Sequence, residues 1–200
     1  MRLPVAEENK VPGLAGVFAE IKASRGFVSN AMRGLGHAPE GLRLYAAVGR
    51  YVKYETDLPE RLRELSMVCG ARGVAYAWTH HSALALQAGI PQSALEDIGA
   101  GRPPAALPPS EQAIARFIGE MFSADSVSDA TFAELAKYFG PRQITDIAMS
   151  AAYYRAFGAM ASALGVQIET PEMLQFERQW QKNIELWRSS LPPASPKSSA

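Results

Sequence analysis

Seven prolines constrain this chain more than any other feature. Pro12, Pro39, Pro59, Pro91, Pro109, Pro141 and Pro171 each stand at the head of a stretch in which apolar residues recur at helical spacing. Proline is tolerated in the first turn of a helix, where its missing N–H has no acceptor to lose, and is disruptive in the interior. The prolines therefore cut the chain into helices, expected at about 12–23, 27–35, 39–54, 58–72, 74–88, 91–99, 110–122, 129–139, 142–164 and 172–188. No long run shows the strict alternation of a half-buried strand. The fold class is all-α.

Local chemistry supports several of these ends. Asp57, ahead of Leu58-Pro59-Glu60, has capping-box form, and Ser128 is placed to cap the helix that contains Phe132 and Leu135. Gly89, Gly140 and Gly165 read as C-terminal stops. GRPPAALPP (101–109) reads as a rigid surface connection between two helical halves of one domain. The segment 142–164 is apolar on nearly every side after Asp146, apart from Arg155, so it belongs in the centre or in a subunit interface. Met173, Phe176, Trp180, Ile184 and Trp187 form an aromatic stripe on the last helix, which docks on its own subunit or on a neighbour. The tail LPPASPKSSA (191–200) has the composition of a disordered segment.

Composition narrows the function. The chain has 200 residues with 20 Lys+Arg against 20 Asp+Glu, so its formal net charge is zero, which argues against a nucleic-acid or anionic-membrane footprint. No stretch reaches the roughly 20 apolar residues that span a bilayer, and MRLPVAEENKVPG lacks the apolar core of a signal peptide, so a cytoplasmic location is expected. One cysteine, Cys69, rules out an internal disulfide, a CxxC pair and a multi-cysteine zinc site. Three histidines leave little room for a histidine-rich metal site, so no metal is expected.

The chemistry-bearing stretch is LPERLRELSMVCGARGVAYAWTHHSALALQAG (58–89). It holds Glu64 on one helix and Tyr76, Trp78, His80 and His81 on the next. Neighbouring residues on a helix point about 100° apart. The two histidines are therefore not expected to share one small site, and one of them serves structure. Antiparallel packing of the pair lets Glu64 meet a histidine, and a carboxylate that orients an imidazole makes an acid–base pair near neutral pH. The plainer reading also stands: Glu64 paired on the surface with Arg61 or Arg63, and the histidines and aromatics as packing.

The same stretch resembles the signature helix pair of the carboxymuconolactone decarboxylase family, in the AhpD-like superfamily. The shared features are LPERLREL, the aromatic pair and double histidine of AYAWTHH, and the Ala-rich run to QAGIP. PPSEQAIARFIGEMF, VSDATFAELAKYFGPRQITDIAM and YYRAFGAMASALGV resemble the later helices in order and spacing, so the likeness covers roughly 35–170. It implies an AhpD-like bundle over 35–170, with an N-terminal helical segment over 1–34, an aromatic C-terminal helix over 171–190 as oligomer arm or lid, and assembly into trimers or hexamers. It also implies that Glu64 and His81 take the places of a proton relay. The peroxidase members carry two cysteines, at positions that here are Val74 and Ala77. The run SMVCGARGV is about two residues shorter than the family pattern. If the shortening lies in the turn, Glu64 still faces the second helix; if it lies within a helix, Glu64 turns away by about 200°.

Three readings follow. The first is a cofactor-independent decarboxylase-like enzyme acting on a small carboxylated lactone or related acid. Its catalytic residues are His81, Glu64, His80 and Tyr76, and Trp78, Arg72 and Arg155 bind the substrate. The second is a binding or scaffolding member that has lost catalysis, with Trp78 and Met67 filling the pocket. The third is residual peroxide reduction through Cys69.

Overall fold

A computed structural model describes residues 2–124 and 126–182, with side chains placed as far as residue 179. Ten helices follow one another among the described residues: α1 (Leu14–Arg25), α2 (Asn30–Gly34), α3 (Pro39–Arg50), α4 (Glu60–Ala71), α5 (Ala75–Gln87), α6 (Gln92–Ala100), α7 (Pro109–Ser123), α8 (Asp129–Ala136), α9 (Pro141–Ala163) and α10 (Pro171–Lys182). Pro39, Pro109 and Pro141 occupy the first helical turn, and Pro59 and Pro91 stand immediately before theirs. Ser128 caps α8 by accepting from the Thr131 N–H.

Three local expectations are corrected. Asp57 does not cap α4. That helix opens after Pro59 with no side-chain cap, and Asp57 instead gives its backbone N–H to Asp146 Oδ2 at 3.2 Å. Gly140 is not a helix stop. It precedes α9 with φ −75°, and its N–H donates to the Gln143 side chain. Gly89 and Gly165 do take the left-handed conformation expected past a helix end. The helix expected over 39–54 is α-helical only to Arg50, and Tyr51–Glu55 form a π turn. That wider turn carries Val52, Lys53 and Tyr54 inward one after another, and all three are buried.

The α4–α9 pair is the spine. Helix α9 is buried along Ile147, Ala151, Tyr154, Phe157 and Ala161, in agreement with its apolar sequence. One core cluster lies to one side of the spine and includes Leu65, Val68, Ile98, Ile114, Ile118, Leu135 and Ile147. The other includes Phe18, Ile21, Met32, Leu42, Met67, Tyr76, Tyr153, Tyr154 and Phe157, so α1 to α3 close over that side. Gly70 makes the close approach possible: a Cβ there would lie 2.7 Å from Ala151 Cα. On the described part of α10, Phe176 meets Phe27 of its own chain edge to face, with centroids 6.0 Å apart. Ile184 and Trp187 of the expected stripe lie outside the described residues, as do the Trp180 side chain and the 191–200 tail. No described helix is long and apolar enough to cross a membrane.

Two glycine substitutions test this packing in opposite directions. Gly70→Ala meets rigid backbone and should cost about 3 kcal/mol, whereas Gly16→Ala on the open face of α1 meets nothing within 4 Å and should gain up to about 1 kcal/mol. Urea denaturation midpoints of the two variants measure both.

Candidate active site

A cavity lies where α5, α9, the π turn and α10 converge, enclosed from the other side by α1 and α2. Its wall contains Arg25, Phe27, Met32, Lys53, Tyr54, Tyr76, Ala77, His80, His81, Tyr154, Phe157 and Glu177. The space open to the centre of a water-sized sphere is about 40 Å³, room for about three waters. One end is aromatic and apolar, and the other carries charge.

At the charged end a carboxylate is buried completely. Glu64 is 0% exposed, and its two oxygens have separate partners: Oε1 accepts from Lys53 Nζ at 3.1 Å, and Oε2 pairs with His81 Nδ1 at 3.1 Å. Burial pushes the Glu64 carboxyl up, but the charges of Lys53, His81 and Arg63 and the His81 hydrogen bond outweigh it, and the pKa falls to about 2. Glu64 is therefore ionised and accepts from both neighbours, which fixes the His81 proton on Nδ1 in the neutral ring. Burial and the Lys53 ammonium hold His81 below its ordinary pKa, against the pull of Glu64. Neutral His81 thus has Nδ1 engaged and, with no hydrogen-bond partner for Nε2 among the described residues, Nε2 available as an acceptor. The Tyr154 ring packs on it, with centroids 3.9 Å apart.

His80 is held differently. Nδ1 meets Glu177 Oε2 at 2.5 Å and Nε2 meets Glu169 Oε2 at 2.8 Å, so both ring nitrogens are engaged. Burial lowers the His80 pKa, but the two carboxylates raise it further, to about 9. His80 is consequently a cation clasped between the strand of chain after α9 and α10 itself. The Tyr76 hydroxyl donates to Glu169 Oε1 at 2.5 Å and accepts from the Ala31 N–H at 3.2 Å, which completes the clasp. Among the described residues no group of three His, Cys, Asp or Glu side chains is arranged to hold a metal ion.

No family model matches the sequence, and no curated protein does. Solved structures match over almost the whole chain. The AhpD core of an uncharacterized peroxidase-related protein from Ralstonia eutropha aligns with 88% of this chain and 96% of its own, at a TM-score of 0.71 and 23% identity. The chain has the AhpD-like fold. An uncharacterized peroxidase-related protein from a Silicibacter species matches over 85% of this chain and 91% of its own, at a TM-score of 0.69 and 20% identity. A variant of the debrominase Bmp8, in complex with 2,3,4-tribromopyrrole, matches over 89% and 97%, at a TM-score of 0.67 and 18% identity. Identities this low speak to the AhpD-like fold alone.

Within that fold the positions where the resemblance puts cysteines are apolar and packed. Val74 and Ala77 are buried, and both press on Gly158 of α9. Cys69 is buried on α4, and burial pushes its thiol up to about 12, so almost no thiolate forms at neutral pH.

The structure sorts the remaining expectations. Glu64 and His81 meet across α4 and α5. Both histidines line one cavity, contrary to the argument from their angular separation, because α10 and the segment ahead of it wrap round to the His80 face and bring that face into the same enclosure. Trp78, Arg72 and Arg155 are absent from the cavity wall. Trp78 packs beside Gly99 on the other side of α5, and Arg72 and Arg155 line a separate cleft near α7. Met67 is fully buried in the core behind the cavity and does not fill it. Three charged groups of the site had no sequence signal of their own: Arg25, Glu169 and Glu177. Lys53 was within reach in principle, because a lysine in the apolar run YVKY needs a buried partner if that run is helical and packed.

The two histidine clusters give stability opposite pH dependences. A raised His80 pKa contributes fully below about pH 6.5 and is lost as the pH climbs through about 9; a lowered Glu64 pKa contributes above about pH 4.5 and is lost as the pH falls towards 2. Unfolding free energy should therefore drop by about 3 kcal/mol between pH 6.5 and 9.5, and His80→Gln should flatten that alkaline limb. Denaturant titrations across this range decide it.

Proposed function

We propose that this chain is an acid–base enzyme of the carboxy-lyase type, acting on a small carboxylated lactone or related acid. The observation that carries the reading is the unequal state of the two histidines. His80 has both nitrogens engaged, whereas His81 keeps Nε2 uncommitted in an aromatic cavity, backed by Glu64 and Lys53. The charge balance supports an anionic substrate. Arg25, Lys53, Arg63 and protonated His80 stand against Glu64, Glu169 and Glu177, which leaves one positive charge for a substrate carboxylate to neutralise. Arg25 takes the anchoring role expected of Arg72 or Arg155: its Nη2 donates to the Ala46 carbonyl at 3.3 Å, and its buried Nε has no hydrogen-bond partner among the described residues.

In this reading the substrate carboxylate raises the His81 pKa by its charge and loads Nε2 with a proton. The bond between the ring carbon and the carboxylate then breaks, CO2 leaves, and its electron pair passes into the lactone as a dienolate. Lys53 stabilises the oxygen that gains charge, and His81 Nε2–H delivers the proton to carbon. Tyr76, whose proton is committed to Glu169, holds the clasp and does not donate to that oxygen. Peroxide reduction through Cys69 is disfavoured by the high pKa of a thiol that lies outside the cavity wall. A binding role without catalysis draws support from the burial of both histidines and from Val74 and Ala77, but neither Trp78 nor Met67 occupies the space. Assembly into trimers or hexamers belongs to the same proposal, and the exposed apolar side chains Leu86, Phe132, Tyr138 and Met149 are surface such an interface would cover.

CO2 release from a panel of small carboxylated lactones tests the reading. His81→Gln should lower kcat by at least about 100-fold while the helical circular-dichroism signal is retained. Because His81 must be protonated to act, kcat/KM should fall as the pH rises through its pKa, below about 6.5. Retained turnover in His81→Gln, or a kcat/KM that climbs with pH over that range, overturns it.

A further inference from the structure

Arg72 and Arg155, 83 residues apart, meet in a second cleft between the end of α4, the end of α6 and the outer face of α7. Arg155 Nη1 donates to the Arg72 carbonyl, and its guanidinium lies 5.4 Å above the Phe122 ring. The cleft consists of two adjoining depressions that share Cys69, Arg72, Gly119 and Ser123. They open about 270 and 200 Å³ to the centre of a water-sized sphere, several times the histidine cavity. Arg102 and Arg116 stand on the rim. The floor is apolar, formed by Ile98, Ile118 and Phe122.

The charges do not balance here. Arg102 is paired with Asp97 at 2.8 Å, and Glu120 turns its oxygens to Ser128 and Thr131. The guanidiniums of Arg72 and Arg116 make no hydrogen bond and no ion pair within 4 Å among the described residues, although Glu120 and Glu134 act on Arg116 from further away. Glu134 is itself paired with Lys137. Among the described residues, Arg72, Arg116 and Arg155 stand against the Glu120 carboxylate and leave two positive charges over an apolar floor. Guanidiniums recognise planar or tetrahedral oxyanions through paired N–H donors, and two excess charges match a phosphate monoester dianion better than a monocarboxylate.

We propose that this arginine cleft is a second binding site, distinct from the histidine cavity, for a phosphate monoester with a small apolar body. The phosphate lies between Arg72 and Arg116, and the organic group lies on Ile118 and Phe122. The proposal is independent of the activity assigned to the histidine cavity.

Isothermal titration of the full chain at low ionic strength, with phenyl phosphate as the probe, tests it. Phenyl phosphate should bind saturably and more tightly than inorganic phosphate or benzoate, and phenol should not bind. Arg72→Gln and Arg116→Gln should each weaken phenyl phosphate at least tenfold, while His81→Gln leaves its affinity unchanged. Sedimentation velocity of the same variants keeps the outcomes separate. The site stands if affinity falls with the oligomeric state unchanged. It is overturned if wild type gives no saturable binding, if the arginine variants bind as well as wild type, or if they dissociate the assembly with no phenyl phosphate bound by wild type, which would make the cleft a subunit contact.

Discussion

The site depends on a carboxylate with no access to water. An ionised Glu64 at the centre of a helical bundle is costly unless both oxygens are met by charge or by strong donors. Lys53 and His81 meet them, and each arrives from a different element: Lys53 from the π turn after α3, and His81 from α5. Three segments are therefore tied to one side chain on α4. Truncating either partner would leave a buried charge half satisfied, a loss of about 3–5 kcal/mol. The same arrangement that makes Glu64 tolerable sets the tautomer of His81, so stability and candidate chemistry share one origin.

A second clasp closes the cavity on its other side. His80 carries a positive charge because two carboxylates reach it, Glu169 from the segment after α9 and Glu177 from α10. The charges of neighbouring histidines are thereby driven apart: one is a cation with no free nitrogen, and the other is neutral with one nitrogen free. Opposed environments of this sort separate an acid–base group from a positioning group even when the two are adjacent in the chain. The histidines differ because of what surrounds them from outside α5, and nothing in the helix itself distinguishes them.

That origin explains what could be read without coordinates. Helix identity follows from proline position and apolar period, both local properties, and so the helix order was legible. The contact between Glu64 and His81 was legible because the two helices are consecutive and joined by a three-residue turn. Lys53 was hidden by the π turn, which breaks the α period that would have placed it. Glu169 and Glu177 were hidden because a carboxylate about 90 residues from its histidine leaves no periodic trace. Charge in an apolar helix demands a partner, and for Arg155 that demand is met away from the cavity, by the Arg72 carbonyl and the Phe122 ring. Sequence shows the Tyr76 hydroxyl as a possible donor to substrate, but not that its proton is already directed at Glu169. Asp57 failed as a cap because Pro59 moved the start of α4 two residues beyond its reach.

The packing of Val74 and Ala77 against Gly158 has a bearing on redox behaviour. Those positions carry side chains that cannot be oxidised, reduced or alkylated, and the one thiol of the chain is protonated and enclosed in α4. Reagents that silence thiol enzymes, from hydrogen peroxide to iodoacetamide, find no thiolate at the cavity. Oxidation can reach the wall of the cavity through the Met32 thioether, and not through a cysteine.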